Sequence, residues 1–298
     1  MRRITKPYRL AHKTSKASPP MSLVQPRPFY RLSGKWALTQ LSTGQPFFVD
    51  VESRDLTVWI VLVGQWENFV DDVLSALAKP GDTFLDIGSN VGYYAVKIGG
   101  IVGKEGMVHA FEPNPDLFDF VKENLTINGY YGFKAHNVAL AHKAGEMTMT
   151  YDRAHPGGGT VLLNSETGSD TMTNRVVQVA VLDELLPDLR ADLIKIDIEG
   201  FEPLAFAGMK AVLARSPDAA IVTEISQQHW SRFGSPIEML RVVAGHRRIF
   251  RIWIDGGLTE LNSETLDVAF EEGFVSYVLM LPPGEAHESR IRHLIRPV

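Results

Sequence analysis

Carboxylates recur where strand-like runs come to an end. Asp86 stands in "TFLDIG" (83–88), Glu112 in "GMVHAFEP" (106–113), Asp197 and Glu199 in "ADLIKIDIEG" (191–200), and Glu224 in "AAIVTEIS" (219–226). Gathered at one edge of a sheet, such side chains can take a proton, hold a cation or accept hydrogen bonds from hydroxyl groups. Lys195 alternates with Asp197 along one strand face and can pair with a carboxylate or orient it. His155 and His229, in adjoining loops, are further proton acceptors.

For these groups to meet, the intervening chain must form an open α/β sheet. Phe69, Val73, Leu74 and Leu77 have helical spacing within 66–82, and the run stops at Pro80 and Gly81. A strand over 83–88, a helix over 92–103 and a strand over 106–113 follow. Next come a helix over 114–130, with a proline near its start and a glycine at its end, and a third strand over 133–141. The rhythm is interrupted between about 145 and 182, where "EMTMTYDR" and "RVVQVAVLD" read as strands around a Gly-, Ser- and Thr-rich stretch. Gly157, Gly158 and Gly159 could hinge a lid there, or be slack. A strand over 191–200, a helix in "EPLAFAGMKAVLAR", a strand over 219–226 and a helix over 235–246 resume the alternation, and "RIFRIWI" and "VSYVLML" close it as an antiparallel pair.

The expected architecture is α/β, a doubly wound, seven-stranded, mostly parallel Rossmann-like sheet with a terminal antiparallel strand. Residues 1–45 read as a basic, partly disordered extension and 81–298 as the main domain. Residues 46–80 read as a hairpin and helix, the hairpin being two short strands within 46–63.

Ligands of such sheets collect at the carboxyl ends of the strands, near the reversal of strand order. There, Gly88-Ser89-Asn90-Val91-Gly92 follows Asp86. Its G-x-x-x-G spacing lacks the middle glycine of the dinucleotide fingerprint, and an arriving phosphate would meet the aspartate. A cationic or zwitterionic ligand is favoured. Glu112, at the end of the second strand, can accept hydrogen bonds from both hydroxyls of a ribose. Together these features describe S-adenosylmethionine, which carries an amino acid, a sulfonium and an adenosine without a phosphate. Pro113 and Asn114 follow at the same strand end, and Asn137, Val138 and Ala139 end the third. Tyr93 and Tyr94 open the next helix, where either can pack or flank the methionine portion of that ligand.

These segments resemble the FkbM-type methyltransferases of the class I S-adenosylmethionine-dependent fold. The resemblance is carried by "FLDIGSNVGYYAV", "AFEPNPDLFDFVKENLTING", "NVAL", "HPGGGTVL", "VAVLDELL" and "LIKIDIEGFEPLAFAGM", spanning roughly 64–225. It implies methylation of a hydroxyl on a sugar, polyketide or similar small molecule. It also implies that Asp86, Gly88, Asn90, Gly92, Glu112 and the region of Asn137 line the cofactor pocket. The first 45 or so residues and the end of the chain depart from the shared core.

Methyl transfer is an in-line displacement, so the protein positions the acceptor and removes its proton. Asp197, Glu199, Glu224, His155 and His229 are the candidate bases, with Lys195 beside them. In a competing route Asp197 and Glu224 hold a divalent ion such as Mg²⁺ against the acceptor hydroxyl. The metal-free route is preferred because nothing in the sequence supplies a clear third ligand. His109, His136 and His142 lie in or beside strands without an H-x-x-x-H partner and read as structural. Two alternatives stay open: a non-catalytic S-adenosylmethionine-binding module, and an NAD-dependent oxidoreductase, which the missing glycine disfavours.

Composition bounds the partners. The 298 residues are 45% hydrophobic and 22% charged, an ordinary globular balance, and zero cysteines exclude a thiol nucleophile or thiolate metal site. Nine of the 30 basic residues precede Asp50, the first acid, so 21 remain against 35 acids. Such a body suits a small hydroxylated acceptor and is a poor match for a nucleic-acid backbone. "DIEG" also stands where amino methylation of bases typically places D-P-P-Y. No apolar run approaches the ~18–20 residues a membrane span needs. A cytoplasmic protein is expected, although an Arg-rich, acid-free start leaves organellar targeting or surface association open. Nothing in the sequence reports oligomeric state.

Overall fold

The computed structural model describes residues 27–54, 56–130, 132–160, 172–263, 265–266 and 275–296. Of the extension 1–45 expected to be partly disordered, residues 1–26 lie outside them, as do 161–171 of the Gly-, Ser- and Thr-rich segment, whereas 30–31 and 36–40 are paired strands. Among the described residues no helix is long and apolar enough to cross a membrane.

The described chain opens with β1 (Tyr30–Arg31), β2 (Trp36–Gln40) and β3 (Pro46–Asp50), an antiparallel sheet in that order. Helices α1 (Leu56–Val63) and α2 (Asn68–Leu77) follow. The hairpin therefore pairs 36–40 with 46–50, and the second strand expected within 46–63 is a helix instead. A short apolar run such as "LTVWIVLV" satisfies both periods, so periodicity cannot decide it. Tertiary contact decides: Leu56, Thr57 and Ile60 are buried, and Thr57 Oγ1 donates to Asp50 O at 2.8 Å across the first turn.

The alternation comprises β4 (Thr83–Ile87), α3 (Tyr93–Val102), β5 (Met107–Phe111), α4 (Pro115–Ile127) and β6 (Phe133–His136). Asn114 caps α4, accepting the Asp116 N–H with Pro115 at the first helical position. The expected third strand over 133–141 divides after His136. Its end becomes β7 (Ala139–Leu140), which joins β8 (Gly145–Asp152), β9 (His155–Thr160) and β10 (Met172–Ala180) in a second sheet ordered β7-β10-β8-β9. Gly157, Gly158 and Gly159 thus lie within a paired strand, β9, rather than in a free loop.

The rest comprises α5 (Leu182–Leu185), β11 (Leu193–Ile196), α6 (Glu202–Ala207), α7 (Lys210–Arg215), β12 (Ala220–Ser226), α8 (Gln227–Trp230) and α9 (Pro236–Ala244). Strands β13 (Arg248–Ile252), β14 (Leu258–Leu261) and β15 (Val275–Leu281) precede α10 (Glu285–Ile291). The single helix expected over 202–215 breaks at Gly208, where a Cβ would stand 2.1 Å from Ala141 O.

The main sheet has eight strands, ordered β14-β13-β15-β12-β11-β4-β5-β6, one more than expected. From β12 to β6 neighbours are parallel; β15 runs antiparallel between β12 and β13, and β14 adds the extra edge strand as the hairpin partner of β13. Helices cover both faces, so the strands are buried on both sides. Phe84, Val108, Leu193 and Val222 pack with Val73 of α2, Val96 of α3 and Phe120 of α4. Leu85, Ile194, Ile221 and Met280 pack on the other face with Phe206, Val212 and Leu240. Asp86 and Lys195 are register partners on adjacent central strands.

Candidate active site

A cavity of about 350 Å³ opens at the carboxyl ends of the central strands. Its walls include Gly88, Ser89, Asn90 and Tyr93 after β4, Glu112 and Pro113 after β5, Val138 and Ala139 beyond β6, and Lys195, Asp197 and Glu199 at the end of β11. Tyr94 of α3, Glu224 of β12 and His155 and Gly157 of β9 complete the residues expected from sequence that line it.

The loop after β4 is wound tightly. Gly88, Asn90 and Gly92 have φ of 83°, 54° and 85°, and a Cβ on Gly88 would lie 1.9 Å from Asp197 O. Only glycine permits that approach. The N–H groups of Gly88 and Ser89 both donate to Phe111 O at 3.0 Å. The Glu112 carboxylate is held by two backbone donors, Asn90 N–H on Oε2 at 2.8 Å and Asn114 N–H on Oε1 at 2.9 Å. Burial pushes its pKa up to about 7.

Four residues expected at the ligand stand behind the wall instead. Asp86 is fully buried and accepts the Ala95 N–H in the first turn of α3, and its other oxygen has no hydrogen-bond partner among the described residues. Gly92 begins α3 against Val121, Asn114 caps α4, and Asn137 Nδ2 donates to Glu112 O at 2.8 Å and Pro113 O at 3.1 Å. Their geometry shapes the loops that carry Asn90 and Glu112. The wall beyond is apolar, formed by Phe111, Leu117 and Leu140 with Met147 and Met149 of β8.

The opposite side is acidic. Lys195, 2% exposed, places Nζ 3.1 Å from Asp197 Oδ2, 3.2 Å from Gly88 O and 5.1 Å from the centre of the Tyr94 ring. Burial alone would lower the lysine pKa, but Asp197, Asp86 and Glu67 hold it well above the usual range. Tyr277 O–H donates to Asp197 Oδ2 at 2.9 Å, and lies 3.0 Å from Glu67 Oε1. Tyr94 O–H donates to Glu67 Oε2 at 3.0 Å. Glu67, at a left-handed φ of 40°, is pushed up to about 7, first by burial and then by Asp197.

Glu199 also has a left-handed backbone, φ 56°, and burial followed by the charge of Asp197 raises its pKa to about 7. Glu224 rises to about 10, through burial and then the carboxylates of Asp197 and Glu199. Glu67, Trp66 and Tyr277 were not anticipated. Glu67 precedes a helix without a capping pattern, and Tyr277 reaches Asp197 only because β15 inserts beside β12. His229 does not line the cavity: it packs over Gly200, where a Cβ would be 2.3 Å from the histidine Cβ. His109 and His136 stack with ring centres 5.4 Å apart, outside the cavity.

Glu202 adds a third carboxylate that the sequence did not reveal, since single oxygen atoms of Asp197, Glu202 and Glu224 lie within 4.8 Å of one another. It is already engaged. Its Oε1 accepts the Ile198 and Gly200 N–H groups at 2.9 and 3.1 Å, and its Oε2 accepts Trp230 Nε1–H at 2.8 Å.

Known proteins share these segments. "Methyltransferase 1" of Beauveria bassiana is 26% identical over 162 residues, 48% of this chain and 65% of its own length. "Methyltransferase sdnD" of Sordaria araneosa is 28% identical over 166 residues, covering 46% of this chain and 64% of its own length. "Hexuronic acid methyltransferase AglP" of Haloferax volcanii is 26% identical over 162 residues, 52% of this chain and 62% of its own length. The chain thus spans somewhat under two thirds of each of these relatives. The description "Methyltransferase FkbM domain" matches residues 86–252, which run from Asp86 on β4 to the end of β13 and take in Glu112, Asp197, Glu199 and Glu224. With that match over more than half its length, the chain belongs to the FkbM methyltransferase family.

Proposed function

We propose that the chain transfers the methyl group of S-adenosylmethionine to a hydroxyl of a small molecule of the sugar or polyketide kind. The residues present fit that donor. Glu112 faces the cavity with its carboxylate fixed by two N–H groups and lone pairs left for ribose hydroxyls. Gly88 allows backbone approach, and the wall of Phe111, Leu117, Val138 and Met149 suits a flat base.

Bound there, the donor supplies a sulfonium methyl: the acceptor oxygen forms its bond to carbon as the carbon–sulfur bond breaks and its electrons stay on sulfur. The chain must aim the hydroxyl and take its proton. Glu199 carries this reading. It is a half-buried carboxylate on the cavity wall, in a strained left-handed conformation, and its pKa near 7 suits a base at neutral pH. Lys195 and Tyr277 hold Asp197 beside it. A relative named for a hexuronic acid supports a sugar hydroxyl as the acceptor.

The test is S-adenosylhomocysteine release, with a mass gain of one methylene on a hydroxylated acceptor drawn from fractionated cell extract. Glu199→Gln is expected to lower kcat by ~10²-fold or more. Full activity in that variant would remove the base assignment. Donor binding without turnover would leave the non-catalytic module, and saturable NAD binding in place of the donor would revive an oxidoreductase. The convergence of Asp197, Glu202 and Glu224 favours a second route, in which a divalent ion polarises the hydroxyl. We keep the metal-free route because three donors already occupy Glu202. Activity lost in EDTA and restored by Mg²⁺ would replace it.

A further inference from the structure

The acceptor end of the cavity joins aromatic and acidic side chains and holds very little positive charge. Trp66, Tyr277 and Phe201 line it together with Glu67, Glu199 and Glu224. Lys195 is the sole lysine or arginine among the described lining residues, and its charge is already opposed by Asp197. Arg232, stacked on Phe201 at 5.5 Å, is not among them. Glu67 accepts from the Tyr94 hydroxyl and stands 3.0 Å from the Tyr277 hydroxyl oxygen. The carboxyl groups of Glu199 and Glu224 have neither a hydrogen bond nor an ion pair among the described residues.

A carboxyl group in a half-buried wall without a countercharge gains from a cation and loses from an anion. Like charges brought together in such a wall, where water screens them poorly, repel strongly. A carboxylate, phosphate or sulfate on the acceptor would meet Asp197 and the ionised forms of Glu67 and Glu199, whereas Glu224 keeps its proton at neutral pH until a cation arrives. A protonated amine would meet acceptors on one side and aromatic faces on the other, the pairing that organic cations use in proteins.

Building on the proposed hydroxyl methylation, we propose that the acceptor carries a protonated amine close to the methylated hydroxyl, as an amino sugar or amino alcohol does, and that Glu224 is the residue that selects it. Glu199 then receives the hydroxyl proton while Glu224, protonated in the empty cavity, releases its proton to solvent as the ammonium group docks and holds that group as a carboxylate. One carboxylate serves the reaction and the other serves recognition.

The test uses the full chain saturated with S-adenosylhomocysteine, in EDTA at neutral pH. The probes are the methyl glycosides of glucosamine, N-acetylglucosamine and glucuronic acid, titrated by calorimetry. The amine is expected to bind at least ~10-fold tighter than its N-acetyl form, one opposite-charge contact being worth that much, and the uronate least of all. In Glu224→Gln the ratio between amine and N-acetyl form should fall toward one, whatever affinity both lose. A change in packing alone would not move that ratio. Equal binding of amine and N-acetyl form overturns the inference, as does a uronate that binds at least as well or a complex that binds none of the three. Uronate binding that overtakes the amine when Mg²⁺ replaces EDTA also overturns it, assigning the acidic wall to a metal. Failure to bind S-adenosylhomocysteine at all refutes the donor reading itself, and is separately visible before any glycoside is added.

Discussion

Replacing Lys195 with methionine removes, among the described residues, the cation that opposes Asp86 and Asp197 while nearly conserving volume. Lys195 is 2% exposed and its Nζ serves Asp197 Oδ2 at 3.1 Å and Gly88 O at 3.2 Å. Removing one partner of a buried ion pair costs ~3–5 kcal/mol, and a carbonyl that loses its donor adds ~1 kcal/mol. The Asp197 side chain is 19% exposed toward the cavity, so water reaches it and the lower end applies: ~3 kcal/mol lost at about pH 8. The loss depends on pH with a definite sign. Without the lysine the folded pKa of Asp86, already raised to about 6, climbs further above its unfolded ~3.9, which disfavours the folded state once both forms ionise. The deficit should therefore be full at about pH 8 and shrink by ~1 kcal/mol or more at about pH 5. The lysine's own titration does not enter, because its raised pKa keeps it charged throughout that window. Urea unfolding followed by tryptophan fluorescence at both pH values measures the difference. A deficit below ~1 kcal/mol at the higher pH, or an equal deficit at both, would refute the argument.

Three further outcomes follow from the same geometry. Glu67, Glu112 and Glu199 have pKa values raised to about 7, and Asp86 to about 6, so each folded form keeps a proton that its unfolded form has released. Their contribution to stability falls as pH rises from the unfolded carboxylate range to about 7; the ligand-free protein should melt lower at pH ~7.5 than at pH ~5.5 in a thermal scan, and a rise would count against it. Gly88→Ala should cost at least ~10-fold in S-adenosylmethionine affinity by calorimetry, since its Cβ would stand 1.9 Å from Asp197 O, whereas Gly81→Ala, with open space and φ 88°, should bind normally. Glu112→Gln cannot accept both the Asn90 and Asn114 N–H groups and should weaken donor binding by ~10–100-fold; unchanged affinity would separate Glu112 from the ribose.

The strand–helix alternation from Thr83 to Ile252 was legible because the central strands are short, mostly apolar runs and helices carry their own punctuation, such as Asn114-Pro115 before α4. The acids at strand ends were legible for the same reason. What the sequence hid depends on which distant elements become neighbours. Tyr277 meets Asp197 because β15 inserts beside β12, and Glu67 enters the cavity from the turn before α2, both across long separations in the chain. The "LTVWIVLV" segment fits either period, and only its packing on β2 and β3 makes it a helix. The position of Asp86 just before the loop points to the ligand, yet its side chain turns toward α3, where it accepts the Ala95 N–H. His229 shares a strand end with Glu224 but is carried past the cavity by α8.

The central claim is that this cavity holds S-adenosylmethionine between Glu112 and the acidic wall. A crystal structure of the chain with S-adenosylhomocysteine tests it directly. Ribose hydroxyls are expected on the Glu112 carboxylate, the base against Val138 and Met149, and the sulfur turned toward Asp197 and Glu199. A ligand seated elsewhere on the protein, or one in the cavity with its ribose away from Glu112, would contradict it.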